Sequence, residues 1–256
     1  FDYPYTSRVG SVEKGFPTVI HHSFILKGIY NYFKLTGNTE ASDLIIAADA
    51  FILEELPITT IPQGIYLGYH PGAHGCCYNA SLHAAASLAV VSQFKKDSEY
   101  LDWIEPAVRY AVSRQKPSGV WYYSHGNDPD IEKKQIDFHQ GFILDSLSDI
   151  ENLTGRQMSG LIQPAIEAGL AFYYSRQFDE KGRSVFRLPS RFPIDIHNQA
   201  QGIITFSRFG HLDEKYAAIA DAIVHWTIRN MQDRQGFFYY QQYRFFTNKI
   251  SYIRWG

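Results

Sequence analysis

A chain of 256 residues, 45% hydrophobic and 20% charged, can bury a substantial core and is not an intrinsically disordered segment. A formal net charge of −2 argues against a protein held to nucleic acid by phosphate contacts. No run of about 18 uncharged apolar residues offers a membrane span. The opening residues lack the basic-then-apolar form of a secretory leader, although a chain that does not begin with Met leaves room for one already removed.

The predicted elements form a repeat. A helix runs from His21 toward Gly37. Cys76 and Cys77 follow; sequence neighbours rarely form a disulfide, and with His74 they supply no four-ligand set. A buried thiol pair is therefore expected, with no metal or other cofactor, and the lack of a bridge favours a cytoplasmic setting. The next helix starts at Asn79, and its partner carries Leu101, Ile104, Val108, Ala111 and Val112 on one stripe. A third helix starts at His139, with Phe138, Phe142, Leu147, Ile150 and Leu153 on one face, and a fourth at His197. The starts at His21, Asn79, His139 and His197 are 58, 60 and 58 residues apart.

Gly37, Gly155 and Gly210 sit where C-terminal caps belong. Pro106 and Pro164, 58 residues apart, predict a shared break in the second helix of each pair. Those second helices end near Gln115, Gln177 and Gln232. Each is followed by a glycine and then apolar or aromatic residues, Gly119 to Tyr123, Gly182 to Phe186 and Gly236 to Tyr240, read as extended segments crossing the end of the bundle. A lone hairpin cannot bury its apolar face, so the hairpins must stack side by side. The reading is a single all-α domain over residues 1–256, an incomplete ring of about four hairpins. A further first helix falls due near residue 255, so the chain is expected to continue and to self-associate through its open side.

The long loops lead into the first helices through Cys77-Tyr78-Asn79, Asp137-Phe138-His139 and Asp195-Ile196-His197. Asp at a helix start caps free N–H groups, which accounts for the aspartates in structural terms. The repeated histidines point to a shared rim, and the four residues Asp137, His139, Asp195 and His197 are the candidate catalytic set. Paired carboxylates suit glycoside hydrolysis; a His or Tyr base suits elimination or epimerisation. Trp121, Tyr122, Tyr123, Tyr239 and Tyr240, together with Asn79, would overhang the same end and offer flat faces with polar tips to a sugar. Arg244 and Arg254 suit an acidic substituent. No Ser-His-Asp signature, phosphate loop, dinucleotide fingerprint or HExxH motif is present.

The segments from Ile136 to Leu147, from Pro193 to Gly202, from Gly236 to Tyr240 and from Tyr252 to Gly256 resemble VpsJ-like polysaccharide-biosynthesis proteins. The resemblance extends over most of the chain from about Tyr69. It implies the six-hairpin alpha/alpha toroid found in many glycosidases, lyases and epimerases, and an oligosaccharide or polysaccharide partner. It supplies no established catalytic residue. Two functions are expected from different classes: a carbohydrate-active enzyme, or a non-catalytic glycan-binding or assembly protein.

Overall fold

The computed structural model describes residues 5–7, 10–12, 15–95 and 98–251. Tyr252–Gly256, including Arg254, lie outside the described residues. In chain order the elements are β1 (Tyr5–Ser7), β2 (Gly10–Val12), α1 (Val19–Thr36), α2 (Thr39–Ala47), a π-helical turn (Phe51–Glu55), β3 (Ile58–Ile61), β4 (Gly64–Leu67), β5 (Cys76–Cys77), α3 (Tyr78–Lys95), a 3-10 turn (Ser98–Tyr100), α4 (Leu101–Ser113), β6 (Ser124–His125), β7 (Glu132–Lys133), α5 (His139–Leu153), α6 (Ser159–Gln177), β8 (Ile194–Asp195), α7 (Ile196–Phe209), α8 (Glu214–Met231), β9 (Gln241–Gln242) and β10 (Thr247–Asn248). No helix among the described residues is long and apolar enough to cross a membrane.

Two compact units can be recognised. The first takes in the chain up to Ser113, with Ser124–Glu132 and Asp149–Ser159; the second holds Arg114–Tyr123, Lys133–Ser148 and the chain from Gly160 onward. In the first unit α3 is buried on nearly all sides through Ala80, Leu82, Ala84, Ala85, Leu88 and Val91, and its small residues let neighbouring backbones approach. Helix α1 ends at Gly37, left-handed at φ 65°, whose N–H donates to Phe33 O. Asn38 caps α2 by accepting from Ala41 N. Cys76 and Cys77 are buried and are not joined in a disulfide. The β3–β4 hairpin was not expected, although Ile58, Thr59, Thr60 and Ile61 are β-branched and suit a strand. Gly64 at its turn abuts the Pro106 carbonyl, where any side chain would collide.

Pro106 and Pro164 both lie inside helices, each on the sixth residue, and the helix continues through them. The expected break is thus a lost N–H within a continuous helix.

In the second unit the three long loops open with one shared turn. The N–H groups of Gly119, Gly182 and Gly236 donate to the carbonyls of Lys116, Asp179 and Asp233, and all three glycines have positive φ. Gln115 and Gln232 each bond the glycine carbonyl four residues on. Gly119 presses on the Ala168 carbonyl of α6 and Gly182 on Ala222 of α8. The loops after Gly182 and Gly236 then run to a small sheet of order β10-β9-β8, with Asp195 opposite Gln241. Helices α7 and α8 start on Asp195 and Asp213, whose carboxylates accept from His197 N and Lys215 N.

Candidate functional site

All four candidate catalytic residues belong to the second unit, at the starts of α5 and α7. The buried Asp137 carboxylate accepts from His139 Nδ1 at 2.5 Å and from its backbone N–H at 3.3 Å. Its other oxygen accepts from Gln135 Nε2 at 2.7 Å and Arg187 Nε at 3.2 Å. Burial pushes this carboxyl up, but the charge and hydrogen bonds of His139 and the bond from Gln135 outweigh it, and its pKa is lowered. An ionised carboxylate only accepts, so His139 carries its proton on Nδ1.

Phe138 separates the two histidines. Its ring stacks on His139 at 4.2 Å and on His197 at 4.0 Å, with interplanar angles of 27° and 29°. Phe142, one turn along α5, meets both imidazoles with its edge. Tyr123 stands edge-on to His139 at 4.6 Å. Burial, with His139 adding to it when that ring is protonated, pushes the His197 pKa down to about 4. His197 is therefore uncharged at neutral pH.

Asp195 caps α7 by accepting from His197 N at 2.9 Å, and its second oxygen accepts from Gln241 Nε2 at 2.6 Å. Burial raises its pKa; the bonds from Gln241 and His197 and the charge of Arg187 oppose that rise, while Asp137 adds to it. Capping and clustering thus coexist in both aspartates.

The aromatic loops are pinned to these helix starts by amides. Gln140 accepts from Trp121 N and donates to Trp121 O. Asn198 donates to the carbonyls of Val185 and Phe186, and Gln199 accepts from Ser184 N. Trp121 itself is fully buried, its ring edge filling the notch left by Gly169 on α6. The expectation that it faces a ligand is corrected: the indole is core packing. Tyr240 is also a packing residue, set against Ile194, Ile196 and Met231. The Tyr239 hydroxyl donates to Asp233 in its own turn, and exposed Arg244 lies over Phe245. Tyr122 lines a separate cavity. Asn79 belongs to the first unit, where it accepts from Cys77 Sγ at 3.0 Å. Gln135, Arg187 and Gln241 were not anticipated. Among the described residues no group of three or more His, Cys, Asp or Glu is arranged to hold a metal ion.

With this geometry in hand, the chain can be set beside solved structures. Its fold is the alpha/alpha toroid. It matches a cellobiose 2-epimerase from Bacillus thermoamylovorans B4167 with a TM-score of 0.70, over 95% of this chain and 71% of that one at 13% identity. A D-mannose isomerase matches at 0.70 over 94% and 68% with 8% identity. An alpha-mannanase from Bacteroides thetaiotaomicron matches at 0.64 over 98% and 70% with 13% identity. These likenesses establish the fold and not the reaction, since one fold carries several chemistries. No protein-family model and no curated protein sequence matches the chain.

Proposed function

We propose that the chain is a carbohydrate-active enzyme that moves a proton at the carbon beside a sugar's carbonyl group, as an epimerase or an aldose–ketose isomerase. The observation that carries this reading is the Asp137–His139 pair set one aromatic ring away from an uncharged His197. With Nδ1 donating to Asp137, the lone pair of His139 sits on Nε2, and the carboxylate stabilises the imidazolium that forms when this nitrogen takes a proton. The neutral His197 ring suits a hydrogen bond to the carbonyl oxygen. Proton loss moves the C–H electron pair toward that oxygen and gives an enediolate. Delivery of a proton from a second acid to the other face of the same carbon gives the epimer, and return of the proton by His139 to the neighbouring carbon gives the isomer.

Asp137 accepts four hydrogen bonds, which leaves it poorly suited to attack a glycosidic carbon. The names of two structural neighbours, a cellobiose 2-epimerase and a D-mannose isomerase, are in keeping with proton transfer, at identities too low to transfer an activity. One observation favours a second reading: a buried Asp195 with a raised pKa resembles the general acid of a glycoside hydrolase. A place among VpsJ-like proteins rests on the motifs around Asp137, Asp195 and Gly236 and would make the sugar a unit of an oligosaccharide or polysaccharide.

Product analysis separates these readings. Aldoses and reducing disaccharides are incubated with the protein and followed by NMR and chromatography. Proton transfer yields an epimer or ketose with no new reducing ends. Release of reducing ends supports the hydrolase. Saturable binding with no product from any sugar supports the glycan-binding alternative and overturns the enzyme reading.

A further inference from the structure

The second unit holds a cavity of about 660 Å³, within the range of about 300–1,000 Å³ typical of ligand pockets. Ile136, Phe172, Leu188 and Pro189 give it apolar walls, and Tyr122 and Arg176 complete one side. Lys116 Nζ lies 5.0 Å and Lys134 Nζ 5.9 Å from the centre of the ring of Tyr122, a lining residue, within reach of a cation–π attraction. Arg176 lines the cavity itself, and no carboxylate is among the described lining residues.

The cavity adjoins the histidine site through one wall. Leu188 N donates to Ile136 O at 3.0 Å. The adjacent residues of the same two segments, Arg187 and Asp137, form the ion pair beside His139.

We propose that this cavity is an accessory binding site for an acidic sugar residue, a uronate or a sulfated sugar. Apolar walls suit the C–H faces of a pyranose ring, and Arg176, with the two lysines beside Tyr122, suits its carboxylate or sulfate. The choice of a sugar rests on the carbohydrate reading above; the cavity itself is independent of the reaction.

The test is calorimetric titration of the full chain with an oligogalacturonate, a sulfated oligosaccharide and a neutral oligosaccharide of equal length. Acidic oligomers should bind saturably and more weakly as salt rises, and the neutral one should not. K134Q/R176Q should weaken acidic binding by about tenfold, while R187Q and H139N leave it unchanged. Preference between the two acidic oligomers identifies the anion. The proposal is overturned if no acidic oligomer binds, if K134Q/R176Q binds as well as wild type, or if R187Q or H139N abolishes binding. Sugar turnover by a protein that binds no acidic oligomer would remove this site and leave the reaction standing; acidic binding without turnover would do the reverse.

Discussion

Asp137 Oδ1 and His139 Nδ1 lie 2.5 Å apart, and the opposite oxygen of the same carboxylate faces two further donors, Gln135 and Arg187. Asp195 occupies the equivalent place on α7, but its second oxygen faces only the Gln241 amide. Asp137→Asn would bring an NH2 group against a donor on either side, leaving buried donors unsatisfied at a cost of about 2–4 kcal/mol. In Asp195→Asn the Gln241 amide can flip and the Tyr243 hydroxyl, which now donates to it, can turn to accept. That variant should lose no more than about 1 kcal/mol. Urea midpoints of the two variants check the asymmetry.

Phe138 stacks on both imidazoles and keeps them apart. Phe138→Ala should cost about 2–3 kcal/mol and let water reach His197, so that its pKa rises from about 4 toward the ordinary 6.5. Titration of the His197 ring by NMR reads this directly. Phe138→Leu, which keeps the ring excluded from water, should move it much less.

His197 links stability to pH. Its folded pKa lies below the unfolded value, so the unfolded chain binds the extra proton first and stability falls as pH drops from about 6.5 to about 4. Between pH 7 and 4.5 the loss attributable to this residue should be about 2 kcal/mol. His197→Asn should flatten the profile of unfolding free energy over that window and leave the fall at still lower pH that comes from Asp137, whose pKa is lowered in the fold.

The shared glycine turn separates strain from collision. Gly119→Ala places a methyl 2.1 Å from the Ala168 carbonyl in addition to its left-handed strain, and should cost at least about 3 kcal/mol. Gly236→Ala has nothing within 4 Å and meets only the backbone strain, about 1–2 kcal/mol. Thermal melts of the pair distinguish these costs.

The hairpins were legible because helical periodicity, glycine caps and the 58–60 spacing are local signals. The clustering of His139 and His197 was legible by the same means, since repeat-equivalent residues return to equivalent helix starts. Arg187 and Gln241 escaped because they reach Asp137 and Asp195 from 50 and 46 residues away, and nothing in a single chain's pattern marks such a partner. Trp121 was misread because an aromatic run after a glycine resembles a surface loop. The notch that buries its ring is made by Gly169, a tertiary feature. The β3–β4 hairpin was overlooked beside stronger helical patterns, and Gly64 against Pro106 is again visible only in three dimensions.

In the proposed reaction His139, held by Asp137, removes a proton from a sugar carbon. The direct measurement is deuterium incorporation at the carbon beside the carbonyl when aldoses are incubated with the protein in D2O, followed by NMR. Exchange is expected from the wild type, and a loss of at least about 100-fold in His139→Asn with the fold intact by circular dichroism. Exchange that persists at the wild-type rate in His139→Asn, or reducing ends released with no deuterium at that carbon, would contradict it.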